Sequence, residues 1–225
     1  MNRSQAKIAS IGHSFDGSLT CRLTCPPEAI PGAGQAALAL NTTIRSLQRS
    51  TLFPVQVFED GFRCLAPTDE RWQPGDRVDI LSPIGTGFQV PTESRRWFLI
   101  AFQTKPHYLM PLLDAADQTD SSVALYSSDQ LHGLPADIEI LTEAEMGFEW
   151  ADYAAISLPV YYLDRLRKSF GRFADFPVPC PTQVLFIDEL ACGFGGCLSC
   201  GLATQDHWAL RCQQGPVFNW EQLRV

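Results

Sequence analysis

Residues 192–200 read CGFGGCLSC, and Cys212 follows after an interval of eleven residues. Cys192, Cys197 and Cys200 keep the C-x4-C-x2-C spacing of plant-type [2Fe–2S] ligands, and Cys212 supplies a fourth thiol. The glycines between them let the backbone adopt positive φ and pass close to inorganic sulfide. Amide N–H groups on such a loop point at sulfur, stabilise the reduced cluster and tune its potential. A structural zinc site usually pairs two C-x2-C knuckles, and only Cys197 with Cys200 forms one here. A disulfide framework belongs to small secreted chains, which a chain of 225 residues is not. The spacing therefore favours a one-electron iron–sulfur centre, with zinc as the alternative. Cys21, Cys25, Cys64 and Cys180 are scattered and are expected to be small buried hydrophobes.

Hydrophobic residues make up 45% of the chain and charged residues 19%, a globular balance that permits a sizeable core. A net charge of −8 argues against nucleic acid as a partner. The first seven residues lead into no apolar run of signal-peptide length, and no stretch is long enough to span a membrane. These features suggest a cytoplasmic protein, where thiols stay reduced and free to ligate iron.

Working back from the cysteines, the first ninety or so residues are β-rich. Strands are expected at 18–24, 35–40 and 78–81, with a hairpin over 53–58 and 62–65, and such short strands suggest a small barrel. From about residue 95 the pattern changes. Residues 97–102 form a continuous apolar run, as in a strand buried on both faces. Helices are expected at 107–116 and 161–170, and strands at 123–126, 138–141 and 153–158. This alternation predicts an α/β unit with a mainly parallel sheet. Past Pro177, Pro179 and Pro181, a strand at 183–187 leads into the cysteine loop, and 208–212 is expected to pair back as a strand.

Residues 184–218 resemble the cluster domain of the dihydroorotate dehydrogenase electron transfer subunit family. The resemblance rests on C-G-x-G-x-C-x-x-C and on the ending R-C-x-x-G-P-V-F, here Arg211 to Phe218. Residues 74–88, PGDRVDILSPIGTGF, are similar to the G-D-x-V-x-x-x-G-P-x-G-x-G-F stretch that closes that family's flavin barrel. Gly34-Gln35 stands at the place of its P-G-Q strand. The resemblance implies a multidomain, ferredoxin-reductase-like α+β fold. Its parts would be an N-terminal small β-barrel over 1–92, an α/β NAD-binding-like domain over 93–180 and a [2Fe–2S] domain over 181–225. It also implies that electrons pass between NAD, FAD, the cluster and a partner oxidoreductase carrying FMN.

Two nucleotide motifs of that family are altered. Its barrel strand carries an Arg that clamps the FAD pyrophosphate and a Ser that contacts the flavin ring; here Phe53 and Val55 take those places, and Pro54 alone is kept. Losing a bidentate phosphate clamp is not a conservative change, although Arg45 or Arg49 is near enough in sequence to approach from the side. The retained loop of Gly85 and Gly87 favours FAD, so FAD contacts are assigned to Pro54, Gly85 and Gly87. The family's glycine-rich dinucleotide turn reads Gln103-Thr104-Lys105-Pro106-His107-Tyr108, without glycine, and its C-G-P motif reads Ser157-Leu158-Pro159. Close backbone approach to phosphates needs glycine, so NAD is disfavoured.

The remaining polar groups suggest no other chemistry. The histidines are scattered, Asp188 and Glu189 are expected on a solvated face, Lys105 and His107 on an exposed loop, and Trp208 and Trp220 in packing. No nucleophile–base or acid–base set stands out, so free-standing enzymatic activity is not expected. The expectation is an electron-transfer subunit whose cluster is held by Cys192, Cys197, Cys200 and Cys212. Its alternative is a docking scaffold that has lost its flavin and in which the cluster is a relay or structural element.

Overall fold

The computed structural model describes residues 2–44, 48–67, 71–128, 133–134, 138–170 and 178–223. Arg45 and His132 lie outside the described residues.

Seven antiparallel strands form the first sheet: β1 (Asn2–His13), β2 (Leu19–Thr24), β3 (Ala36–Asn41), β4 (Ser50–Leu52), β5 (Pro54–Phe58), β6 (Gly61–Leu65) and β7 (Arg77–Ile84). Their order is β4-β3-β7-β1-β2-β6-β5. The two edge strands, β4 and β5, are separated only by Phe53, so one bent segment serves both edges and curls the sheet into a half-barrel. The bend falls at Phe53-Pro54, beside a register shift between Pro54 and Gln56 in the β5–β6 ladder. Proline suits such a corner because it has no N–H to leave unpaired. The barrel core gathers Ile8, Leu23, Phe62, Val78 and Ile80 with Cys21 and Cys64. These two thiols, scattered in sequence, are cross-strand neighbours with sulfurs 3.2 Å apart. Burial and the neighbouring Cys21 push the Cys64 thiol up.

The second sheet has the order β10-β9-β8-β11-β12-β15. It comprises β8 (Arg96–Ala101), β9 (Ser122–Ser127), β10 (Glu139–Leu141), β11 (Tyr153–Leu158), β12 (Thr182–Phe186) and β15 (Val217–Asn219). All its pairings are parallel except that of β15 with β12. Every residue of β11 is buried, as is all of β8 past Arg96, which explains their unbroken apolar runs. Helices α1 (Pro111–Gln118), α2 (Ala144–Trp150) and α3 (Leu163–Lys168) accompany this sheet. The chain winds one way from β8 to β9 and β10 and the other way from β11 to β12, so the topological switch point lies between β8 and β11. A two-stranded hairpin, β13 (Gly201–Ala203) with β14 (Trp208–Leu210), carries the C-terminal cysteines.

The cysteine-bearing segment is not a separate ball. Its entry strand β12 and its exit strand β15 both belong to the second sheet, and two threonines fix it to the barrel. Thr51 donates through its amide to Glu189 Oε2 at 3.0 Å and accepts from the Leu190 amide at 2.8 Å. The Thr86 hydroxyl donates to the Gln214 carbonyl at 2.9 Å. A shared buried cluster then joins Ala36, Leu38, Phe53 and Ile84 of the barrel to Leu185 of the sheet and to Leu190, Cys200, Cys212 and Val217.

Candidate metal centre

The loop between Leu190 and β13 makes its turns on Gly193 and Gly195, at φ of 76° and 80°, where a side chain would be strained. Leu198 also adopts φ of 61°, an uncommon conformation for a non-glycine residue, and it lies between Cys197 and Cys200. The β13–β14 hairpin does the rest. Gly201 pairs with Leu210, and the Arg211 amide donates to the Cys200 carbonyl at 3.1 Å, so Cys200 and Cys212 emerge side by side. Their sulfurs are 3.3 Å apart, and the two residues are 2% and 3% exposed. Cys192 is half-buried and Cys197 exposed.

The four thiols thus fall into an outer pair and an inner pair, and Cys192 of the outer pair and Cys212 of the inner pair are shifted in opposite directions. Burial would raise the Cys192 thiol, but amide donors from Cys197, Phe194 and Gly196, with the Cys197 thiol, outweigh it and lower it to about 7. Burial and the adjacent Cys200 push Cys212 up to about 12, opposed by the Gly195 amide. The loop amides therefore aim at sulfur, as the glycine spacing predicts, and they favour the thiolate form that ligates iron. Among the described residues no three Cys, His, Asp or Glu side chains converge on a single-ion position. A four-thiolate set on one amide-lined loop suits iron–sulfur ligation.

Several neighbours of the loop differ from expectation. Asp188 is not merely a solvated carboxylate. It pairs with the buried Arg211 at 2.8 Å and accepts from the Val160 amide at 2.9 Å, tying the end of β11 to the cysteine hairpin. Arg211 was legible only as part of the C-terminal motif, without a role. Breaking a buried pair by removing one partner typically costs about 3–5 kcal/mol. Arg211→Met is therefore expected to lower stability to denaturant by about 3 kcal/mol, and adding Asp188→Asn to recover part of the loss. Full stability in Arg211→Met would show that the pair fixes nothing. Trp208, expected in packing, is 74% exposed, with its ring against Gly201. Phe194 and Leu198 on the same loop are also exposed. Trp220 does pack, 5.2 Å from the Phe170 ring.

The places of the altered nucleotide motifs are occupied by protein. His107, expected on an exposed loop, is 1% exposed and lies under the β1–β2 turn. Phe15 stacks on it at 4.4 Å, Ser14 Oγ is 2.7 Å from its Nε2, and Asp16 binds Lys105 at 3.3 Å. Leu158 is fully buried at the switch point. Gly85 and Gly87 serve close packing: a Cβ on Gly85 would lie 1.9 Å from the Gly215 carbonyl oxygen, and one on Gly87 would lie 2.4 Å from that of Ala33. Arg49 is engaged elsewhere, donating to the Asp79 carbonyl at 3.0 Å and pairing with its carboxylate at 3.3 Å.

Residues 188–224 match the family model described as the iron-sulfur cluster binding domain of dihydroorotate dehydrogenase B. No curated protein matches the sequence. Among solved structures, a chain of the NADH-dependent reduced ferredoxin-NADP oxidoreductase superposes with a TM-score of 0.73 at 14% identity, covering 97% of this chain and 89% of that one. The ferredoxin reductase of carbazole 1,9a-dioxygenase gives 0.58 at 14% identity, covering 78% and 64%. Phthalate dioxygenase reductase gives 0.52 at 15% identity, covering 81% and 66%. At these identities the likeness is one of fold. Among the described residues no helix is long and apolar enough to cross a membrane. Residues 188–224 are thus similar to the iron–sulfur cluster-binding domain of dihydroorotate dehydrogenase B, and they are built onto a ferredoxin-reductase-like fold.

Proposed function

We propose that this chain is a [2Fe–2S] electron-transfer subunit that passes single electrons to or from a partner oxidoreductase. The observation that carries the reading is the arrangement of four thiols in two pairs on one amide-lined loop. Cys192 and Cys197 hold the outer side of the centre, and Cys200 and Cys212 the inner side. Bound there, the cluster supplies reversible uptake of one electron. The amides of residues 194–197 donate to sulfur and offset the negative charge gathered at the loop. Leu190, Val217 and Phe53 pack against the inner pair, which leaves the outer edge as the side a partner meets. Phe194, Leu198 and Trp208 frame that edge with apolar surface, the composition found at the centre of protein–protein contacts. The matched family makes an FMN-dependent dihydroorotate dehydrogenase the partner to test first.

Protein purified without oxygen is expected to show visible charge-transfer bands, with iron and acid-labile sulfide each at two per chain. A colourless protein holding zinc would overturn the assignment.

A further inference from the structure

We infer that this chain carries no flavin, because the seam between barrel and α/β sheet that would seat one is filled by its own side chains. The flavin ring of the resembled family lies against the strand that corresponds here to Phe53-Pro54-Val55, all three of which are buried. Phe53 reaches from the β4–β5 corner to Tyr108, which stands on the loop after β8; their rings meet edge-on at 5.8 Å. Strand β5 packs on the turn at Pro106–Leu109 and on the start of α1. Two aromatic rings and the shared apolar cluster therefore occupy the junction at Phe53, where the flavin ring would lie; farther along the seam an open groove of about 760 Å³ lies between Phe58 and Asp114, and its one cation, Arg22, is paired with Asp60.

The phosphate end fares no better. Arg49 spends its guanidinium on Asp79 and on the Leu38 carbonyl. The glycines at 85 and 87 admit neighbouring backbone, and the Gly85 carbonyl accepts from Gln35 Nε2 at 2.9 Å. An open groove of about 410 Å³ does lie beside this loop, between Pro83, Gly85, Phe194, Cys212 and Gln213. None of the side chains lining it is cationic, so it offers nothing to neutralise a pyrophosphate. Pro54 is explained by the barrel corner and the two glycines by packing, so the retained residues of the flavin motif need no ligand to account for them.

The consequence, which rests on the cluster reading above, concerns electron number. A flavin accepts a pair of electrons and releases them singly, whereas a cluster alone takes and returns one. A hydride donor is then no direct substrate, and any two-to-one conversion belongs to the partner. The donor class that fits is a flavoprotein or another one-electron iron–sulfur protein.

The test uses the full chain purified without oxygen. It is incubated with excess FAD and, separately, FMN, then gel-filtered, and acid-released flavin is measured beside iron and sulfide. No retained flavin, with uptake of one electron per chain in a dithionite titration, is the expected result. FAD retained at one per chain, with uptake of three electrons, would overturn the inference and leave the cluster assignment standing. Flavin exclusion without iron would sink the cluster reading instead, so the two failures are told apart.

Discussion

Cys200→Ser and Cys212→Ser are each expected to abolish the visible bands and the reduced-state EPR signal and to destabilise the chain as well. The second effect follows from position. Both thiols lie in the apolar junction that binds the C-terminal segment to the barrel. A serine hydroxyl there, shorter than the thiol and more costly to desolvate among apolar neighbours, costs about 1–3 kcal/mol. For a chain of this length that corresponds to a fall in Tm of about 2–12 °C. Cys197→Ser on the exposed edge is expected to lose or alter the cluster signal while staying within about 0.5 kcal/mol of the parent in the iron-free state. Thermal denaturation of the iron-free variants separates the two pairs, because cluster loss then contributes equally to all. Equal Tm values for the inner and outer variants would show that the junction does not depend on the inner pair.

What was legible in the sequence was the local part. The cysteine spacing, the glycines between the thiols and the buried runs at 97–102 and 153–158 all lie within a few residues, where period and spacing carry information. What was not legible depends on distant partners. Strand β1 buries only Ala6 and Ile8 among twelve residues, and a register shift between Ile8 and Ser10 breaks its short alternation, yet it is the hydrogen-bonded link between β2 and β7. Strands β4 and β15 have three residues each, too short for a periodic signal. The predicted helix at 107–116 resolves into a 3₁₀ turn at Pro106–Leu109 and α1 from Pro111, because Pro111 favours a helical start and not a helical interior. Helix α2 begins at a β-conformation glutamate with no capping side chain and so left no start signal. His107 and Asp188 looked exposed because the groups that cover them, Phe15 and Arg211, are far away in sequence. The departures at Phe53 and at 103–108 were legible as losses; that the lost contacts are replaced by a direct seam between the two units needed the fold.

Gly85→Ala separates a ligand loop from a packing loop. At φ of 71° an alanine sits in the left-handed region, and its Cβ would be 1.9 Å from the Gly215 carbonyl oxygen and 2.7 Å from Pro216 Cδ. The obstacle is backbone, which cannot rotate aside, so the loop carrying Ile84 and Thr86 has to part from residues 214–216. The contacts that part with it are the Thr86 hydroxyl on the Gln214 carbonyl and the Gln35 amide on the Gly85 carbonyl. Strain of about 1–3 kcal/mol from the conformation alone corresponds to an expected fall in Tm of about 2–12 °C, to which the lost contacts add. Cys212 lies just before the displaced segment, so iron is expected to leave the variant faster than the parent under a chelator. These effects should appear with no flavin in solution and should not be relieved by adding FAD. If Gly85→Ala instead kept the parent's Tm and iron retention and lost only FAD binding, Gly85 would belong to a nucleotide site. The closed seam at Phe53 and Tyr108 would then have to open in solution.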